Sequence, residues 1–118
     1  VNDMRLINET QPIARKEHIC MFCGGKIEKG QRYIRQTLEN EYIYDFICHK
    51  ECQAVANDTD MYEDCDPDEG LTEDMFCESI DQYIYDNHYD DEIDDIAVEW
   101  QNLTMYDKVL KIIDELDK

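Results

Sequence analysis

Four residues in this chain carry the clearest chemistry: Cys20, Cys23, His49 and Cys52. Cys20-Met21-Phe22-Cys23-Gly24-Gly25 holds a Cys-x2-Cys pair, and His49-Lys50-Glu51-Cys52 holds a His-x2-Cys pair. Thiolate sulfur and imidazole nitrogen are soft or borderline donors, and three of one with one of the other form a standard tetrahedral set for zinc. Each pair is short enough for both donors to face one ion. Four protein ligands leave no open position for water, so the pattern predicts one structural Zn2+ and no metal-activated nucleophile.

Local elements must aim those donors. The Cys20–Gly25 stretch predicts a tight knuckle in which the first Cys ends a short strand and backbone N–H groups point at the sulfurs. Gly24 and Gly25 supply the freedom for positive φ that such a turn needs. Gln31–Thr37 and Tyr42–Ile47 read as strands, with Leu38-Glu39-Asn40-Glu41 as their hairpin loop. Tyr42, Tyr44 and Phe46 fall on one face and are expected to form a small apolar core beside the metal. A stacking platform for bases is the other use of such a face; it needs a basic neighbourhood richer than Arg32 and Arg35 provide. His49 to about Asn57 reads as a helix, with His49 and Cys52 on the same side one turn apart. Cys48-x3-Cys52 is a competing helical pair, and the x2 spacing favours His49. His18 reads as a solvent-exposed or hydrogen-bonding residue, since four better-spaced donors are present. Residues 1–17 show no period, and with Pro12 among them they read as an extended lead-in.

The order of knuckle, Lys26-Ile27-Glu28-Lys29-Gly30-Gln31-Arg32-Tyr33, hairpin, and His49-x2-Cys52 opening a helix resembles treble-clef zinc fingers of the LIM and PARP types. The resemblance covers roughly residues 15–57. The chain also resembles small proteins of bacteria and their phages that join such a finger to an acidic C-terminal part, including Asp66-Pro67-Asp68-Glu69-Gly70. The resemblance implies the finger's fold and no particular activity, because treble clefs serve in nucleic-acid binding, protein binding and nucleases alike.

The 118 residues carry a formal charge of −19, unevenly placed. Residues 1–56 hold eight acidic and eight basic side chains, whereas residues 57–118 hold twenty-two and three. The second half would repel phosphates, which argues against the whole chain binding nucleic acid and for an acidic functional surface. No apolar run is long enough to span a membrane. No secretory signal accompanies the six cysteines, so metal binding in a reducing cytoplasm is expected rather than a disulfide framework.

Residues 57–70 read as an acidic linker. Asp64, Asp66 and Asp68 suggest a calcium loop, but Glu69 stands where Gly is required, Met75 where Glu is required, and Pro67 lies inside. Thr72 reads as an N-cap for a helix over 72–88, with Phe76, Ile80, Tyr83, Ile84 and Asn87 along one stripe. A second helix is expected over 91–101 with Ile93, Ile96, Ala97 and Trp100 as its apolar face. A third begins at Thr104, paired with Asp107 as in a capping box, with Met105, Val109, Ile112, Ile113 and Leu116 as its stripe. Cys65, Cys77 and His88 do not make a second metal site, since Cys77 and His88 are three helical turns apart, about 16 Å.

The expected class is α+β: a small treble-clef zinc finger over residues 1–57, an acidic linker over 58–71, and an acidic helical region over 72–118 packing on the finger. A glycine-rich phosphate loop and a G-x-S-x-G elbow are absent, and three histidines are too few for a His-metal nuclease. The function expected is therefore non-enzymatic: a zinc-stabilised protein whose acidic surface docks on a basic protein surface, in the extreme as a nucleic-acid mimic and inhibitor. The alternative is a regulatory zinc finger that touches nucleic acid through Lys26, Lys29, Arg32 and Arg35.

Overall fold

The computed structural model describes residues 5–39, 42–64 and 71–117. It is a mixed α+β chain with three helices and small antiparallel sheets. Strand β1 (Arg5–Thr10) lies outside β4 (Tyr33–Glu39), which pairs with β5 (Ile43–His49), giving the order β1-β4-β5. The lead-in is thus extended, and it forms a third strand. It had no readable period because Leu6 to Thr10 are all exposed, and a bulge between Leu6 and Asn8 breaks its alternation.

Between β1 and β4 the chain folds the knuckle, with β2 (His18–Ile19) paired to β3 (Lys26–Ile27). After β5, helix α1 (Lys50–Asp58) begins with His49 as an extended N-cap. His49 therefore closes the strand instead of opening the helix. The segment expected as linker supplies the end of α1 and a 3-10 turn at Met61–Asp64. Cys65, the Asp66–Gly70 motif and half of the rejected calcium loop lie outside the described residues.

Helix α2 (Glu73–His88) starts where its cap predicts, with the Thr72 hydroxyl accepting from Met75 N at 3.2 Å. Helix α3 (Met105–Leu116) starts the same way, with Thr104 accepting from Asp107 N at 3.1 Å. The helix expected over 91–101 does not form. Its place is taken by a hairpin, β6 (Tyr89–Asp90) and β7 (Asp95–Ile96), and a 3-10 turn at Val98–Trp100. The apolar spacing suits a helix, but its acidic residues do not. Asp90 Oδ1 accepts from Glu92 N at 2.9 Å, and Asp95 Oδ1 from the next residue's N–H at 2.7 Å. These local bonds compete with helical ones, while like charges four apart repel along a helix. Asp94 turns the tip at φ 54°.

One buried cluster draws on both halves of the sequence. Phe22, Ile27, Ile34, Val55 and Ala56 pack with Phe76, Ile80, Ile84, Trp100, Val109 and Ile112. Phe22 is the junction, stacked on Phe76 at 4.7 Å and edge-on to Phe46 at 4.8 Å. Of the three aromatics expected beside the metal, only Phe46 reaches this core. Tyr44 is half-buried and Tyr42 is 69% exposed. A seven-residue strand runs about 20 Å at 3.3 Å per residue, so the hairpin outruns the core it starts in. No helix among the described residues is long and apolar enough to cross a membrane.

Candidate metal centre

The knuckle and the β5–α1 junction bring Cys20, Cys23, His49 and Cys52 together, one donor atom each, all within 4.8 Å of one another. Cys20, His49 and Cys52 are buried and Cys23 is half-buried. His49 Nδ1 lies 3.3 Å from Cys23 Sγ and 3.7 Å from Cys52 Sγ. A tetrahedral zinc with bonds of about 2.0 to 2.3 Å separates its donors by roughly 3.5 to 3.8 Å. The spacing therefore suits one such ion.

The backbone is arranged for sulfur. Phe22 N, Cys23 N and His49 N each donate to Cys20 Sγ at 3.4 Å, and Gly25 N donates to Cys23 Sγ at 3.4 Å. Of the two knuckle glycines only Gly24 takes positive φ, at 74°. Gly25 takes no such φ, and a side chain there would meet its neighbours at ordinary contact distances. A Cβ there would lie 3.4 Å from Cys23 Sγ, 3.8 Å from Tyr106 Cβ and 3.9 Å from His49 Cε1.

His49 is oriented by its other nitrogen. Nε2 lies 2.9 Å from the Lys26 carbonyl oxygen. A carbonyl only accepts, so Nε2 carries a proton, and Nδ1 is the ring nitrogen that faces the sulfurs and could ligate an ion. Tyr106 of α3 covers the ring face, with centroids 3.9 Å apart and planes 20° from parallel.

The electrostatics call for a cation. Hydrogen bonds from the Cys23 and Cys52 side chains hold the Cys20 thiol far below the ordinary thiol range, against the pull of burial. The same contacts with Cys20 and Cys23, with burial added, drive Cys52 well above it. Burial lowers His49, but Cys20 and Cys23 outweigh it and raise the imidazole to about 10. Without a cation the cluster thus keeps one sulfur charged by leaving protons on its neighbours. A divalent ion removes that conflict by letting every donor present a lone pair.

Residues near the cluster are not part of it. Cys48 pairs with Ile34 in the row beside Tyr33 and His49, so it points to the opposite face of the sheet from His49. Burial and then Cys20 push its thiol up. His18 packs its ring on Tyr33 at 5.1 Å. Cys77 Sγ donates to the Phe22 carbonyl at 3.6 Å, and His88 pairs with Glu115 at 2.8 Å.

Three of the four cations considered for nucleic acid make internal contacts. Lys26 lies 3.8 Å from Glu17, and Arg32 donates to the Gln11 carbonyl at 2.5 Å. Arg35 grips Asp45 through Nε at 3.2 Å and Nη2 at 2.6 Å, while Lys29 is exposed in the turn after β3. Tyr106 is the site residue that sequence spacing did not show. Its partners Glu51 and Gln31 lie fifty-five and seventy-five positions away.

The chain matches no protein-family model, no curated protein and no solved structure.

Proposed function

We propose that the chain is a non-enzymatic interaction module, stapled by one structural zinc on a treble-clef-like unit, whose acidic C-terminal face docks on a basic protein surface. The succession of knuckle, hairpin and helix around the four donors supports the treble-clef description. A closed set of four donors supports a structural role for the ion.

The observation that carries the docking role is uncompensated charge. Residues 71–117 contain fifteen Asp and Glu against Lys108 and Lys111. Both lysines have internal work. Lys108 pairs with Asp81 at 2.9 Å, while Lys111 donates to the Glu99 carbonyl at 2.9 Å and lies 4.6 Å over the Trp100 ring. Most of the carboxylates are exposed. Such a field steers a basic partner into encounter and weakens as salt rises. The nucleic-acid alternative is disfavoured by the internal partners of Lys26, Arg32 and Arg35.

Elemental analysis of the full chain tests the staple: one zinc per chain, lost in Cys52→Ser. Calorimetric titration with a lysine- and arginine-rich peptide tests the surface. Binding at low salt that fades at high salt is expected. No heat at low salt from zinc-loaded protein overturns the docking role.

A further inference from the structure

We propose that Tyr106 is a positioning residue of the metal centre, through which the acidic half controls how long the ion stays bound; this rests on the metal-binding reading above. Three contacts assign it. The ring stacks on His49 at 3.9 Å. The hydroxyl donates to Glu51 Oε1 at 3.1 Å and accepts from Gln31 Nε2 at 3.2 Å.

One hydrogen bond falls within the His49/Cys52 pair and the other on the turn that follows the knuckle and β3. Gln31 belongs to the turn after β3, where its Oε1 accepts from Glu28 N at 3.0 Å. Glu51 stands between His49 and Cys52 in the first turn of α1. One phenol therefore ties the turn beyond the knuckle to the His49/Cys52 side of the site. The Lys26 carbonyl fixes one edge of the imidazole, and Tyr106 fixes its face. To let go of an ion, Nδ1 must swing away from it. With Nε2 held, that rotation drives the ring into Tyr106, which α3 anchors through the buried Val109 and Ile112. Coupling is reciprocal: if a docked α3 raises the affinity for the ion by tightening its site, the bound ion favours the docked α3 by the same factor.

The experiment loads the full chain with Co2+, whose thiolate charge-transfer and visible bands report a tetrahedral site, and follows release to excess EDTA. Tyr106→Ala is expected to release the ion about 10- to 100-fold faster, the range for losing an outer-sphere support, and to shift the visible bands. Tyr106→Phe keeps the stack and loses the two hydrogen bonds of the hydroxyl, so it is expected to restore the bands and only part of the retention. Val109→Ala weakens the anchor of α3 and leaves the ring itself in place, so it is expected to speed release and to shift the bands less than Tyr106→Ala does. Hydrogen exchange in α3 is expected to slow when Co2+ binds. Wild-type bands and release in Tyr106→Ala overturn the proposal, as does an equal band shift in Val109→Ala. Should Tyr106→Ala fail to fold, Tyr106→Leu replaces it, with the bulk kept and the stack removed, and the same outcomes decide. A wild-type chain that takes up neither Co2+ nor Zn2+ overturns the metal reading together with this one.

Discussion

Two histidines in this chain keep similar company and end with different roles. His49 lies under Tyr106 at 3.9 Å and His88 against Trp100 at 4.3 Å, both close to stacked. Each has Nε2 beside oxygen: the Lys26 carbonyl for His49, and both carboxylate oxygens of Glu115 for His88. What differs is the surroundings of the rest of the ring. His49 Nδ1 meets two sulfurs, in a cluster where a third thiol is drawn toward the thiolate form. His88 serves instead to join α2 to α3, with Tyr83 donating to the same Glu115. An aromatic neighbour and one anchored nitrogen therefore do not make a ligand. Convergence of four donors does, and here it comes from two short-range pairs brought together by a hairpin.

The sharpest way to break the comparison is to take away the metal. Structural zinc in small fingers binds with an apparent free energy of about 10 to 16 kcal/mol at neutral pH. A strong chelator should therefore collapse both regions, since Phe22 beside Cys23 and Phe76 on α2 share one core. Circular dichroism melts with and without chelator check this, and coincident melts would refute it. Removing the shared aromatic is next. Phe76→Ala should cost about 3 to 5 kcal/mol in urea unfolding. It should lower the midpoint of the knuckle and of α2 together; separate transitions would mean that the halves fold independently.

How much of this was legible follows from the range of each interaction. The ligand pairs are three residues apart, and the caps at Thr72 and Thr104 act within one turn, so both could be read along the chain. The choice between Cys48 and His49 was also present, hidden by ending the strand at Ile47. Carried through His49, strand alternation puts the two on opposite faces and admits only one to the cluster. The Tyr89–Ile96 hairpin lies where a helix over 91–101 is expected, because Ile93, Ile96, Ala97 and Trp100 satisfy a helical period, while the Asp side chains that bond the backbone locally carry no period at all. Tyr106 and the outer strand β1 depend on partners twenty-five or more residues away, which no local pattern encodes.

The second histidine offers a gentler break. His88 and Glu115 are only partly exposed and the ring is packed on Trp100. His88→Ala should cost about 1 to 3 kcal/mol through the lost hydrogen bonds and stack, with zinc stoichiometry unchanged. A loss of zinc in this variant would erase the distinction between the two sites.

The smallest effect belongs to a pair with no buried partner. Asp45 and Arg35 face solvent on the sheet, 2.6 Å apart. The hydrogen bond from Arg35 holds the Asp45 carboxyl below its ordinary range, against a small desolvation, with Thr37 helping. A carboxyl depressed on folding stabilises the native chain at pH values above its unfolded pKa of about 3.9 and ceases to do so as pH falls through the folded value. A zinc held by the four donors would also leave as the thiolates take up protons in acid, so acid unfolding of the wild type alone would mix two causes. Wild type and Asp45→Asn share the metal centre, and the gap between their urea midpoints isolates the carboxylate. That gap should be small at pH 7, narrow in high salt, and close as pH falls below about 4. A gap that widens in acid would mean that the negative charge of Asp45 opposes the fold, and that the arm beyond the metal is held by its strand pairing alone.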